Sequence, residues 1–242
     1  MADLDHRITA WFEARGWRPR PHQRAVFDHA ARGESVLLIS PTGGGKTLAG
    51  FLPSLIELTE RRQAGQDLAW AKGKGELHTL YLSPLKALAT DIRRNLELPI
   101  AEMQLPVRAE SRTGDTPQSR RIRQRERPPD LLLTTPESLA LLLSYPDSAQ
   151  FFASLKCVII DELHALATTK RGHHLALGMA RLAALAPEVR FVGLSATVAD
   201  PPELAEYLNV GSRPVEIVQG EPGAPPHVTL VDAQERLPWG GH

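Results

Sequence analysis

A strand, a glycine turn and a helix in immediate succession constrain this chain more than any other stretch. SPTGGGKT, Ser40 to Thr47, follows the apolar run Ser35 to Ile39 and opens a helix-like segment at Leu48. Gly43, Gly44 and Gly45 can take backbone angles closed to other residues, so successive N–H groups can turn inward on a polyphosphate at the positive end of the helix. Lys46 then reaches the outer phosphates and Thr47 offers its hydroxyl to Mg²⁺. Thr42, Gly43, Gly44, Gly45, Lys46 and Thr47 are therefore the candidate polyphosphate residues. The general pattern has Gly at the first position, where this chain has Ser40.

With 242 residues, 42% hydrophobic and 23% charged, a sizeable core is available to one large α/β domain or two small ones. Lys plus Arg balance Asp plus Glu at 28 each, so any polyanion site must be local. The single cysteine, Cys157, sits in an apolar run, excludes an internal disulfide and fits a reducing compartment. No apolar run approaches the roughly 18 residues a membrane span needs, and a cytosolic protein is expected.

In chain order, Leu4, Ile8, Trp11 and Phe12 show a helical period that Gly16 ends. Prolines at 19 and 21 precede a second helix, Gln23 to Ala31. Gln23 reads either as a helix cap or as a reader of an adenine edge, since its amide both donates and accepts. Residues 61 to 77 suggest a solvent-exposed connection without chemistry. His78 to Ser83 reads as a strand, Val107 to Thr116 as a strand and turn, and the arginines at 120, 121, 123, 125 and 127 either as a run that binds phosphates or, given the neutral overall balance, as a solvated helix face. Leu131 to Thr135 is an apolar strand, and Pro136 starts a helix with an acid in its first turn. Lys156 to Ile160 is a strand, the segment from Leu175 a helix, and Arg190 a strand start that leads to Ser195 and Thr197. Asp200 and Glu203 resemble a capping box for a short helix to Leu208. Continuously apolar strands alternating with helices indicate an α/β fold, a mostly parallel central sheet with helices on both faces, whose carboxyl edge collects ligands. Residues 1 to 218 form this domain. The tail from Gln219 to His242, rich in Pro and Gly around a short alternating run at His227, reads as a linker and the start of something further.

Hydrolysis of a phosphate anhydride needs a polyphosphate cradle, a metal to neutralise charge, and a group that activates water. Asp161, directly after an apolar strand, has the placement of an acid that holds Mg²⁺, and Glu162 beside it is the candidate for water activation. His164 can hydrogen-bond across to another motif. Asp161 and Glu162 alone also read as exposed turn residues; coupling to the glycine loop gives them a role. The central expectation is that two neighbouring strands bring Lys46 and the Asp161/Glu162 pair to opposite sides of one nucleotide.

SPTGGGKT, SPLKALA at Ser83, RTGDT at Arg112, TTPES at Thr134, DELH at Asp161 and SAT at Ser195 stand in an order and spacing that resembles the first motor domain of superfamily 2 DEAD/DEAH-box helicases. SPLKALA, VIIDELHAL with KRGHHLAL behind it, and GLSATV are similar to the Lhr family of DNA helicases. Trp17 to Gln23 with TTPESLALLL resembles its bacterial branch, the ligase-associated DEXH-box helicases. The resemblance implies a RecA-like P-loop NTPase fold, with ATP and Mg²⁺ on Lys46 and Thr47, metal and water on Asp161 and Glu162, and adenine near Gln23. It implies that Ser195 and Thr197 couple hydrolysis to domain movement. It also implies a nucleic-acid strand over Ser83, Pro84, Lys86, Arg112, Thr113, Thr135 and Pro136, small hydroxyl, amide and basic groups that suit backbone contacts with little sequence preference. Lys86 or Arg112 alone would more often be a solvated charge. The family translocates 3′ to 5′ on single-stranded DNA and unwinds DNA or RNA:DNA hybrids.

Family members carry a second RecA-like domain whose arginines complete the ATP site, and neither it nor the further DNA-binding domains is found before His242. An arginine finger is worth about 10³ to 10⁵ in rate, so the 242-residue chain alone is expected to bind ATP weakly and turn it over slowly. Two rivals stand beside the motor reading. A P-loop kinase or GTPase needs an acceptor pocket or Asn-Lys-x-Asp, and neither is seen; a nucleotide-gated binding module needs no catalysis.

Overall fold

A computed structural model describes residues 6–67, 71–84, 96–196, 198–211 and 214–221. The elements are α1 His6–Glu13, α2 Pro21–Ala31, β1 Ser35–Ile39, α3 Lys46–Gln63, β2 Thr79–Leu82, β3 Ala109–Arg112, α4 Gln118–Glu126, β4 Leu131–Thr134 and α5 Pro136–Ser144. They continue with α6 Ser148–Phe152, β5 Cys157–Ile160, α7 Leu163–Ala167, α8 Lys170–Leu185, β6 Arg190–Ser195, α9 Pro201–Leu208 and β7 Val215–Gln219. A further helical stretch covers residues 96–102.

Among the described residues seven strands form one sheet in the order β3-β4-β2-β5-β6-β1-β7, and every pairing is parallel. Successive side chains of a strand point to opposite faces, which is why the apolar runs are continuous: both faces are covered. Val36, Leu38, Tyr81, Leu131, Leu133, Ile159, Val192 and Leu194 pack with α1, α2, α3 and residues 96–102. Leu37, Ile39, Leu80, Leu82, Leu132, Val158, Ile160 and Phe191 pack with α5 to α9. Parallel register gathers the carboxyl ends of all the strands on one edge.

The strand order corrects the central expectation in one respect. β1 and β5 are not neighbours, because β6 lies between them. α3 resolves this by crossing the sheet closely: a Cβ on Gly50 would lie 3.2 Å from Ile159 of β5 and 3.3 Å from Leu194 of β6. Its first residue, Lys46, stands at the carboxyl edge of the sheet, where β1, β6 and β5 all end. Two strand spacings, roughly 10 Å, leave room for a phosphate chain with β6 as its floor.

Other differences are local. α2 begins at Pro21 rather than Gln23, the proline occupying the first turn where its missing N–H costs nothing. The connection at 61–77 is not solvent-exposed throughout: α3 runs to Gln63, Leu77 is buried, and Arg62 is buried against Asp67 at 3.0 Å and Asp130 at 2.5 Å. β7 has no counterpart among the strands read from the sequence, and it runs across position 218, where the sequence draws the domain boundary. It is an edge strand with mostly half-exposed or exposed residues, so its pattern lacks the apolar continuity of the others. Leu4, Lys86, Thr197 and the run at His227 lie outside the described residues.

Candidate nucleotide site and nucleic-acid groove

Gly43 and Gly45 adopt φ of +77° and +76°, left-handed angles that side chains disfavour, and Gly45 caps α3. Gly44 N–H closes a turn on Pro41 O at 3.0 Å. Thr42 and Gly43 are exposed and Thr47 is half-buried at the mouth of the loop. Lys46 is folded back, its Nζ donating to Ser40 O at 2.7 Å and Pro41 O at 3.2 Å. The loop is therefore held shut by the cation that a phosphate would claim.

α2 supports this loop from behind. His22 is buried and its Nε2 meets Gly44 O at 2.9 Å, a contact with no local signal beyond its place next to Gln23. Gln23 serves both readings at once: Oε1 accepts from Arg20 N–H at 2.9 Å as a cap, and Nε2 donates to Gly45 O at 3.3 Å. Its amide is buried against the loop, so reading a base requires it to exchange one of these bonds.

Asp161 follows β5 and is buried. Its Oδ1 accepts from Glu162 N–H at 3.0 Å and its Oδ2 accepts from the Tyr81 hydroxyl. Burial pushes the Asp161 carboxyl above the ordinary carboxylate range, helped by the Glu162 charge and opposed by the Tyr81 hydrogen bond, the Glu162 N–H and the Lys46 charge. Glu162 takes the left-handed conformation at φ 48°, rare for a residue with a side chain, and opens α7. Its carboxylate lies 3.5 Å from His164 Nε2, and His164 Nδ1 shares a hydrogen bond with buried Ser195 Oγ at 3.1 Å. The cross-motif bond expected of His164 is present. Asp161 and Thr47 offer hard oxygens, the donor type Mg²⁺ takes, so the residues fit that ion.

Along the same edge, Pro84, Arg112, Thr113 and Thr135 line one cavity of about 550 Å³. Sequence reasoning missed four other walls of it, Glu137, Ser138, Leu141 and Arg171, and read Arg121 as a solvated charge. Arg171 pairs with Glu137 at 2.6 Å and donates to Pro84 O at 2.8 Å, which ties α8 to α5 and to the end of β2. Arg121 donates to the carbonyls of Thr113, Gly114 and Thr116, and so shapes the RTGDT turn. Arg112 is not a solvated charge: it is 3% exposed, its Nη1 donates to Arg121 O at 3.0 Å and its guanidinium faces the Tyr145 ring, while the residue still lines the cavity. Ser83, Thr135 and Pro136 are buried as well, Thr135 capping α5, and they offer little surface to a strand. The arginines of α4 likewise depart from a purely solvated face: Arg125 pairs with Asp147 at 2.7 Å and stacks on Tyr145, and Arg123 pairs with Glu110.

Comparison with known proteins places this edge in context. A family model described as DEAD/DEAH box helicase matches residues 20–205. The chain is 40% identical over 232 residues to the Lhr helicase/uracil glycosylase of Escherichia coli K12, covering 91% of this chain and 15% of that protein. It is 40% identical over 211 residues to the ATP-dependent helicase Lhr-Core protein 2 of Thermococcus barophilus, covering 83% of this chain and 24% of that one. The structure of Mycobacterium smegmatis helicase Lhr bound to single-stranded DNA and AMP-PNP matches with a TM-score of 0.79 at 38% identity, over 91% of this chain and 28% of that chain. The chain thus spans only a fraction of the length of these relatives. Among the described residues no helix is long and apolar enough to cross a membrane. With the phosphate loop, the Asp161/Glu162 strand end and the seven-stranded RecA-like sheet in place, the chain belongs to the DEAD/DEAH box helicase family and carries a motor domain of the Lhr type.

Proposed function

We propose that this chain is the first motor domain of an ATP-driven helicase that moves 3′ to 5′ along single-stranded DNA in DNA repair, in the cytoplasm. Thr42 to Thr47 cradle the phosphates, with Lys46 leaving its loop carbonyls for the outer phosphates. Thr47 and Asp161 hold Mg²⁺, which neutralises charge developing on the phosphates. Glu162 orients and deprotonates the attacking water, Gln23 stands by the adenine, and His164, Ser195 and Thr197 pass the state of the site to the rest of the protein. The strand crosses the cavity beside Pro84 and Thr113, with Ser83, Arg112, Thr135 and Pro136 as its frame and the Lys86 charge as a further contact to its backbone. A second RecA-like domain in the longer protein supplies the arginine that completes the site.

The observation that carries this reading is that the glycine loop after β1 and the Asp161/Glu162 pair after β5 open on the same carboxyl edge of one parallel sheet, one strand apart. The Lhr of Mycobacterium smegmatis, similar over most of this chain, holds single-stranded DNA and an ATP analogue in its structure, which favours DNA as the track. Replacing Glu162 by Gln in the longer protein tests the reading. Nucleotide binding is retained and turnover falls by about 10² or more, the range a general base supplies. Unchanged turnover would leave a nucleotide-gated binding module instead.

A further inference from the structure

Tyr81 has no place in the sequence reading of the site, yet it heads the fully buried side chains of the described residues by size. It sits on β2 opposite Ile159 of β5. Residues two apart share a face, so Tyr81, Ile159 and Asp161 all point to the side covered by α3. The ring stacks on Phe51 of α3 with centroids 5.0 Å apart and planes 19° apart. That helix opens with Lys46 and Thr47. The hydroxyl at the far end of the ring donates to Asp161 Oδ2, while Oδ1 is held by Glu162 N–H. Each carboxylate oxygen thus accepts one hydrogen bond from a donor fixed by the fold, a buried phenol on β2 and the backbone N–H that follows.

We propose that Tyr81 is a positioning residue for the metal site: its hydroxyl fixes the Asp161 carboxylate, and its ring fixes the distance from that carboxylate to the helix that begins with the phosphate lysine. The proposal rests on the reading of Asp161 as the acid that holds Mg²⁺. Tyr81 touches neither nucleotide nor metal. Supporting groups of this kind set a metal ligand's orientation, and their loss costs about 10- to 100-fold in metal affinity.

Tyr81→Phe keeps the ring and its stack on Phe51, so packing is preserved, and a thermal melt of the whole chain verifies that. The readout is the affinity for a fluorescent adenosine diphosphate analogue with Mg²⁺ and with EDTA, the ratio giving the gain due to metal. Tyr81→Phe lowers this gain about tenfold and leaves the EDTA affinity unchanged. Asp161→Asn abolishes the gain, and Tyr81→Phe added to it removes nothing more. An equal loss with and without Mg²⁺ would mark Tyr81 as structural only and overturn the proposal. Should Asp161→Asn abolish the gain and Tyr81→Phe keep it in full, the proposal fails while the reading of Asp161 stands. Should Asp161→Asn keep the gain, that reading fails and the proposal falls with it.

Discussion

Ser40 occupies the first position of the phosphate loop, and its side chain dictates what its neighbours can be. Its hydroxyl is buried without a hydrogen-bond partner. A Cβ on Gly44 would collide with that hydroxyl and lie 2.8 Å from Pro41 O, and a Cβ on Gly220 would lie 2.6 Å from it. Glycine at 44 is therefore required by packing as much as by phosphate approach. Gly44→Ala is expected to cost about 1–3 kcal/mol of stability through overpacking and to weaken nucleotide binding. In a Ser40→Gly background only part of this returns, because Pro41 O stays where it is; full recovery in a melt and a nucleotide titration would contradict the account. At this scale the sequence was readable where a side chain's role follows from its neighbours in the chain. Lys46 and Asp161 end apolar strands or open helices, and they are found at one edge. Tyr81 and Arg112 were not readable, because a phenol inside a strand reads as core and an arginine at the end of one, taken alone, reads as solvated. Only the fold supplies the Asp161 carboxylate for the first and the Arg121 carbonyl and Tyr145 ring for the second.

Elements were legible to the extent that burial wrote itself into their pattern. β1, β2, β4, β5 and β6 are buried along their whole length and were visible as apolar runs. β7 is an edge strand, and α6 is too short at 5 residues to show a period, so both escaped. Strand order was not legible either, since nothing local to β1 or β5 reports that β6 inserts between them. α8 begins at Lys170, ahead of the apolar period that starts at Leu175, because Thr169 caps it: Thr169 Oγ1 accepts from Gly172 N–H at 3.2 Å. Thr169→Ala is expected to destabilise the chain by about 1 kcal/mol, read as a lower denaturation midpoint at unchanged slope. Because α8 also carries Arg171 to Pro84, the same variant should loosen one wall of the groove.

For the molecule as a whole, the end of the sheet opposite the nucleotide edge sets its response to acid. His78 is buried there, with Nε2 3.1 Å from Glu57 Oε2, and Arg190 reaches Glu57 Oε1 at 2.7 Å. Burial holds the imidazole below its ordinary value of 6.5, outweighing the attraction of Glu57, while Arg190 and Arg61 act in the same direction as burial. Below that value the unfolded chain binds a proton that the folded chain refuses, so stability is present above it and is lost as pH falls toward the folded value. Denaturation midpoints should drop as pH is lowered from about 7 to about 5.5, and His78→Gln should flatten that slope while lowering stability at neutral pH. An unaltered slope would place the acid response elsewhere. The claim on which everything else depends is that β1 and β5, one strand apart, share a single nucleotide and its metal. Crystals of the chain grown with a non-hydrolysable ATP analogue and Mn²⁺ in place of Mg²⁺ test it directly through the anomalous signal of the metal. One peak is expected between the Thr47 hydroxyl and the Asp161 carboxylate, with the outer phosphates on Lys46; a peak or a triphosphate away from that edge would mean that β1 and β5 do not share a nucleotide.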